Sequence, residues 1–233
     1  MSYSYYEVFT NAQRAFSGLG FPYGADEDAA YIISWLEAFE LEGIHLFSSI
    51  QKKIDSNFNG ALENNKLANK INLEKRSCLM IGPGLIDFLN FHALKNNEIK
   101  IEFQNCSDPL FLIPLLYRAV KKNIFSKIIN QNKIYAVLGT NEIFIHDHLK
   151  NNVCTNFILN LSTNEYQIPK EVKSVDYNII NTNISNGLNP NQSSWDQISD
   201  LAFRTYVPES EESREKGAGG GDANDYQTGA QCY

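Results

Sequence analysis

Residues 78–122 read CLMIGPGLIDFLNFHALKNNEIKIEFQNCSDPLFLIPLLYRAVKK and decide the fold class. The stretch begins with an apolar run over residues 78–81, which predicts a short buried strand closed by the turn Gly82-Pro83-Gly84. A helical pattern follows over residues 85–95. Residues 99–103 then alternate between apolar and charged side chains, which predicts a strand with one buried face. Strand, helix and strand in this order are typical of an α/β protein.

The pattern continues toward the C-terminus. Pro109 stands near the first turn of a helix predicted over residues 110–122. Further strands are predicted in the residue ranges 134–138, 143–145, 156–161 and 175–180. A last helix is predicted over residues 194–204, with Ser193 or Ser194 as its N-cap. These elements predict a mixed sheet with flanking helices.

On the N-terminal side, the periodicity changes to that of helices. Apolar positions recur with helical spacing in three segments of residues 1–55, which we interpret as a helical N-terminal cap. The polar, Asn-rich residues 56–75 predict a linker. The α/β core then spans residues 76–206, and residues 207–233 form a Gly-rich arm that we expect to be extended.

Charge and cysteine spacing restrict the function classes. The net charge of −7 is divided into −5 over residues 1–55, +3 over residues 56–195 and −5 over residues 196–233. Acidic ends and the lack of a dense basic stripe argue against nucleic-acid binding. The four cysteines form no CxxC pair, so we expect reduced thiols. Because no signal peptide or membrane-spanning run is evident, we expect a cytoplasmic protein without a membrane partner.

The densest group of ligand-type side chains is His146-Asp147-His148. In a strand, positions i and i+2 lie on the same face, so both imidazoles would reach one metal ion. A catalytic metal site normally has a third protein ligand, and the nearby sequence offers none. The alternative is a solvent-facing strand end or turn, and we predict no bound metal.

Two further segments are candidates for ligand binding. Gly82 and Gly84 precede a predicted helix, where free backbone N–H groups can hold an anion, although an ordinary turn is the alternative. In the arm, Arg214 lies next to a glycine string that includes Gly217 and Gly219. An arginine in this position is suited to clamp a carboxylate, and the alternative is a solvated connector.

The arm also suggests a partner. Residues 206–225 combine aromatic, proline, arginine and glycine residues, unlike a purely solvating tail. We therefore predict that this segment is ordered against its own domain, a second copy of the chain or a partner subunit. The alternative is a flexible acidic tail.

Three blocks of sequence resemble a known family. The blocks are QRAFSGLG with GADEDAA near the N-terminus, IGPGLID at residues 81–87, and RTYVPESEESR at residues 204–214 followed by GAG. Together they identify the chain as resembling a bacterial family catalogued as domain of unknown function number 3726. This resemblance implies a domain but no activity, cofactor or substrate.

A more distant resemblance is to the malate/L-lactate/sulfolactate dehydrogenases with a non-Rossmann NAD fold. Residues 28–43 are similar to the N-terminal helical hairpin of those enzymes, and residues 138–143 (LGTNEI) to their GTNP-type segment. The resemblance implies that Gly139 and Asn141 take part in ligand binding. The histidine-bearing motifs of those enzymes are absent, so we do not expect NAD to bind.

Three function classes follow from these observations. The first is an enzyme or enzyme subunit in small organic-acid or amino-acid catabolism. The second is a non-catalytic assembly protein that uses its C-terminal arm, and the third is a regulator that binds a small ligand. The sequence assigns no catalytic residue and no cofactor.

Overall fold

The computed structural model describes residues 2–62, 67–151 and 155–206 of the 233-residue chain. These residues form an α/β fold with a seven-stranded mixed sheet, as predicted. The predicted C-terminal arm, residues 207–233, lies outside the described residues. No helix in the described ranges is long and apolar enough to cross a membrane.

The three N-terminal helices are present where the periodicity predicts them: α1 (Tyr5–Gly18), α2 (Ala25–Ala38) and α3 (Gly43–Ile54). Helix α1 begins with a capping box, in which Ser4 accepts a hydrogen bond from the backbone N–H of Glu7 and the Glu7 carboxylate accepts one from Ser4. The three helices pack around stacked aromatic rings, among them Phe16 and Phe47, whose centroids are 4.0 Å apart.

The prediction of a strand at residues 78–81 followed by a Gly82-Pro83-Gly84 turn is wrong. One continuous helix, α4 (Cys78–Asn96), includes all of these residues. Pro83 lies in the second turn of this helix, where it has no N–H to donate to the carbonyl of Leu79, and Gly82 serves packing. A Cβ atom at Gly82 would lie 3.0 Å from Leu115 Cδ1, so the glycine permits a close approach of the helix that follows. A short apolar run with glycines has the composition of a strand and its turn, and only the tertiary contact distinguishes the two.

The sheet has the order β1-β2-β6-β3-β4-β5-β7, and its strands are β1 (Lys70–Asn72), β2 (Glu98–Gln104), β3 (Phe125–Asn130), β4 (Lys133–Leu138), β5 (Glu142–Ile145), β6 (Phe157–Ser162) and β7 (Val175–Asp176). Only the β1–β2 pair is parallel. Strand β1 lies within the residues that we interpret as a linker. Strand β3 has no counterpart among the predicted strands. The strand predicted over residues 175–180 is confined to β7, after which the chain turns into a helix.

A short 3-10 helix (Pro109–Phe111) leads into α5 (Leu112–Val120), and α5 packs with α4 over one face of the sheet. The C-terminal part contains α6 (Asp147–Lys150), α7 (Asn178–Asn186) and α8 (Gln192–Phe203). The N-cap of α8 is Asn191, whose side chain accepts from the N–H of Ser194, and not Ser193 or Ser194 as predicted.

Helix α8 returns to the N-terminal helices and packs against α1 and α3. Asn11 donates a hydrogen bond to Ser199, and a Cβ atom at Gly18 would lie only 2.3 Å from the Leu201 carbonyl oxygen. One hydrophobic core therefore extends from Val8 in α1 to Ala202 in α8. The N-terminal helices are joined to the sheet layer by α2, which packs against α4 and α5.

Candidate functional site

The corner between α2 and α3 (residues 39–43) has an unusual backbone. The N–H of Leu41 bonds to the carbonyl of Leu36, and the N–H of Glu40 bonds to that of Glu37. These two bonds form a Schellman motif, in which the residue at the position of Glu40 is usually glycine. Glu40 nevertheless has φ 61°, so a residue with a Cβ atom occupies a left-handed conformation.

A second left-handed residue follows immediately. Glu42 has φ 49° and ψ 46° and precedes α3. Gly43 lies so close to α2 that a Cβ atom would lie 2.1 Å from the Ile33 carbonyl oxygen. Glu40 and Glu42 are two of ten non-glycine residues with positive φ among the described residues, and the adjacent pairs Glu74–Lys75 and Gln131–Asn132 share this conformation. The corner is therefore distinguished by its place beside a pocket and not by its backbone alone.

The corner borders a depression of about 510 Å³, here called the His146 pocket. Its opposite wall comes from β5, α6 and β7. The apolar side chains lining it include those of Phe39, Leu41, Ile143, Ile145, Val175 and Ile179. The ionisable side chains are those of Glu40, His146, Asp147, Lys150 and Lys173. An apolar surface with a few ionisable groups of both signs is typical of a small-molecule site.

His146 is fixed in orientation and in tautomer. It is the N-cap of α6, and its Nδ1 accepts a hydrogen bond from the N–H of His148 at 3.1 Å. The ring also stacks on Tyr135, with centroids 5.2 Å apart. Because Nδ1 is an acceptor, the neutral ring carries its proton on Nε2. Nε2 is therefore the ring atom that can donate to a ligand.

Two lysines supply positive charge to the His146 pocket. Lys150 Nζ lies 3.1 Å from Asp147 Oδ1, and this hydrogen bond and charge lower the pKa of the Asp147 carboxyl. Both side chains of the pair are exposed, so water screens the attraction between them. Lys173 forms no ion pair within the described part of the chain. An anionic ligand could therefore bind both ammonium groups without breaking a strong ion pair of the protein.

A second depression of about 670 Å³, the Lys53 pocket, adjoins the first and shares Glu40, Leu41 and Lys150 with it. The further ionisable side chains lining it are those of Glu42, His45, Lys53 and Asp108. His45 Nδ1 lies 3.1 Å from Ser194 Oγ, and Ser194 is buried in the first turn of α8. A serine so enclosed is not accessible as a nucleophile, and we interpret this contact as structural.

Asp108 forms part of the wall of the Lys53 pocket, and its carboxylate is buried. Its oxygens accept hydrogen bonds of 2.6 Å from the N–H of Cys78 and from Ser77 Oγ. Burial raises the pKa of the Asp108 carboxyl, and these hydrogen bonds partly offset the increase. The carboxylate caps the N-terminus of α4 at Cys78, whereas the anion site was predicted farther along the chain, at Gly82 and Gly84.

The predicted ligand site at Gly82 and Gly84 gains no support from this geometry. Both residues lie inside α4, where their N–H groups belong to the helix, and the free N–H groups of the first turn lie near Cys78. Gly82 is buried beneath Leu115, whereas Gly84 is exposed.

Gly139 and Asn141 lie in the turn between β4 and β5. The N–H of Gly139 bonds to the carbonyl of Glu142, and the carbonyl of Asn141 accepts from the N–H of Tyr177. The Glu165 carboxylate covers this turn, because its Oε1 accepts from the N–H of Thr140 at 2.5 Å. This turn lies between two strands, whereas Gly82 and Gly84 lie inside α4, and the ligand-binding role of the four residues stays a prediction.

The remaining predicted site residues, Arg214, Gly217 and Gly219, lie outside the described residues. Within the described ranges, no group of three or more His, Cys, Asp or Glu side chains is arranged to hold a metal ion. His146 and His148 do not share a strand face: the first is a helix cap, and Nδ1 of the second lies 3.2 Å from the Tyr135 hydroxyl.

The sequence singled out His146 with His148 as a candidate metal pair, weighed against a solvent-facing strand end or turn, and predicted no bound metal. Sequence reasoning missed Glu40, Lys150 and Lys173, because isolated charged residues give no local signal. The one available signal was the position of Glu40 just after an amphipathic helix, where glycine would be expected.

Residues 3–76 match the model of a family described as "Protein of unknown function (DUF3726)". The resemblance to that family, predicted from the sequence, is thereby confirmed over these residues. No curated protein and no solved structure matches the chain, so the resemblance to the dehydrogenases has no support. The matched residues contribute the corner between α2 and α3 and one wall of both pockets.

Proposed function

We propose that this protein is an enzyme or enzyme subunit that acts on a small organic acid or amino acid, and that the substrate binds in the His146 pocket. The observation that carries this proposal is the composition of the pocket. An apolar surface adjoins a histidine of fixed tautomer, two lysines and the left-handed Glu40.

Each part of such a substrate has a counterpart in the pocket. The ammonium groups of Lys150 and Lys173 suit a carboxylate. The apolar side chains suit a short hydrocarbon chain. If the substrate is an amino acid, the Glu40 carboxylate, which also lines the pocket, would accept a hydrogen bond from the substrate ammonium group.

His146 is the residue that we propose as hydrogen-bond or proton donor to a substrate oxygen. Its Nδ1 is occupied by the N–H of His148, so the donating atom is Nε2. A histidine in this state suits polarisation of a carbonyl or donation to a leaving oxygen.

The other function classes stay open as alternatives. Assembly through residues 206–225, with a second copy or a partner subunit, rests on sequence alone, as does the cytoplasmic location. A ligand-binding regulator would use the same pocket without converting the ligand. The regulator and the enzyme therefore differ in whether the bound compound changes.

The test is a thermal-shift screen of the full chain against small organic acids and amino acids. A ligand that binds only the folded state raises the melting temperature by linkage. We expect the shift to be abolished by His146→Ala and reduced by Lys150→Gln and Lys173→Gln. Lys133→Gln is the matched control, because Lys133 is an exposed lysine of β4 that does not line the pocket.

Any compound found in the screen is then incubated with the protein and followed by NMR. Conversion that is lost in His146→Ala supports the enzyme. Binding without conversion supports the regulator. A shift that is equal in all four variants would contradict the placement of the site.

A further inference from the structure

Two cysteines that are 28 positions apart in sequence meet in the core. Cys78 is the first residue of α4, and Cys106 lies in the loop after β2. Their Sγ atoms are 3.3 Å apart, and both side chains are at most 1% exposed. The two cysteines form no CxxC motif, so the sequence does not predict this contact, which arises only in the tertiary fold.

The pairing of neighbouring backbone segments produces the contact. Strand β1 runs parallel to β2, and the pairing continues beyond both strands through the bond from the N–H of Lys75 to the carbonyl of Asn105. The Asp108 carboxylate also accepts a hydrogen bond from the backbone N–H of Cys78, which holds the start of α4 against this loop. Both cysteine backbones are thus held side by side.

We propose that Cys78 and Cys106 are a modification site, which forms a reversible intramolecular disulfide on reaction with a low-molecular-weight disulfide such as oxidised glutathione. A disulfide bond is about 2.05 Å long, so the two sulfurs need to approach by about 1.2 Å. We expect rotation of the two side chains to supply much of this movement, since the sulfurs are already in contact.

Residues next to both cysteines in the sequence line surface depressions. Ser77 and Met80, on one side, line a surface depression of about 170 Å³. Ser107 and Asp108, on the other side, line the Lys53 pocket. We expect opening of the first turn of α4 to be the motion that gives the oxidant access to the two buried sulfurs.

The reaction balances as two thiol–disulfide exchanges. One cysteine thiolate attacks the oxidant, which forms a mixed disulfide and releases one small thiol. The second thiolate attacks the protein sulfur of that mixed disulfide, which forms the Cys78–Cys106 bond and releases the second small thiol. Two electrons and two protons pass from the protein to the oxidant.

The reduced state is the resting state of the pair. The hydrogen bond to Cys106 and burial raise the pKa of the Cys78 thiol, which keeps it protonated and slow to react. The new bond would join α4 to the loop that carries Asp108, and so fix one wall of the Lys53 pocket. Reversible disulfides with this kind of consequence are typical of redox sensing in reducing compartments.

The test uses a chain with Cys154→Ser and Cys232→Ser, so that only the pair can react. The native protein is incubated with oxidised glutathione, digested and analysed by mass spectrometry. We expect a peptide crosslinked between Cys78 and Cys106, lost on addition of dithiothreitol, and a higher melting temperature of the crosslinked protein, because the crosslink restricts the unfolded chain.

The controls are Cys78→Ser and Cys106→Ala, each of which should give no intramolecular crosslink. Because the crosslink is mapped in the chain that retains both cysteines, misfolding of either variant does not affect the result. Two thiols that remain free, or a single stable glutathione adduct without the crosslink, would overturn the proposal.

Discussion

Asp108 shows how a single buried carboxylate combines two tasks. It caps α4 through Ser77 and Cys78, and it also lies in the wall of the Lys53 pocket. Burial raises the pKa of its carboxyl, so the folded protein binds this proton more tightly than the unfolded chain. The contribution of the group to the free energy of unfolding therefore decreases as pH rises from about 4 through the folded pKa.

The variant Asp108→Asn tests this pH dependence, because asparagine has a similar shape and no charge. We expect the free energy of unfolding of the wild type, minus that of the variant, to decrease as pH rises above about 4. Urea titrations between pH 4 and pH 7 give this difference. A difference that increases over this range would mean that the folded state stabilises the charged form.

Glu40 leads to a second prediction at the residue scale. Its left-handed backbone costs about 1–2 kcal/mol relative to glycine, offset in part by the greater freedom of glycine in the unfolded chain. We expect Glu40→Gly to raise the free energy of unfolding by about 0.5–1 kcal/mol. The control, Glu40→Ala, keeps the strain and should not gain stability.

Both variants lose the carboxylate that lines the two pockets and accepts from Asn183. We therefore expect both to weaken binding of an amino-acid ligand found in the thermal-shift screen. A lower free energy of unfolding for Glu40→Gly than for Glu40→Ala would show that the left-handed conformation of Glu40 is not strained.

At the scale of elements, α4 offers a matched pair of glycines. Replacing an exposed glycine in a helix by alanine typically stabilises by about 0.5–1 kcal/mol. We expect this gain for Gly84→Ala, because a Cβ atom there meets only Leu62 Cδ1 at 3.6 Å. At Gly82 the same atom would lie 3.0 Å from Leu115 Cδ1, so Gly82→Ala should gain less or lose stability.

Chemical denaturation of both variants decides this prediction. The comparison also tests the helix itself. If residues 82–84 formed a turn, neither substitution would follow helix propensity, and equal effects at both positions would argue against the close packing of α4 on α5.

At the scale of the whole molecule, the segment that matches the family is not self-contained. Tyr3 stacks on Trp195 with centroids 4.0 Å apart, and Arg204 forms two hydrogen bonds with Asp55 at 2.9 and 3.0 Å. Helix α8 thus covers α1 and α3. Without it, their apolar faces would be exposed to water.

We therefore expect residues 2–76 alone to lack a cooperative thermal transition in circular dichroism, and residues 2–206 to show one. The full-length chain is the control, and it also tests the arm. If residues 206–225 dock as predicted, removal of residues 207–233 changes the oligomeric state, the stability or the binding of a partner. A fragment of residues 2–76 that melts cooperatively would show that α8 is dispensable.

By itself, the sequence determined the elements whose pattern is local. Amphipathic spacing gave α1, α2 and α3, and alternation gave β2, because each of these needs only a surface that faces the core. The α/β class followed from the order of such elements. The motif blocks likewise sufficed for the resemblance to a family.

Tertiary structure decided what depends on contacts between distant residues. Residues 78–84 became a helix because Gly82 fits against Leu115 and Asp108 caps the helix start. The ionisable groups of the His146 pocket come from the corner between α2 and α3, from α6 and its N-cap, and from the segment before β7, and no local pattern links them. Side chains from separate elements meet only after the chain has folded, and the contact of Cys78 with Cys106 arises in the same way.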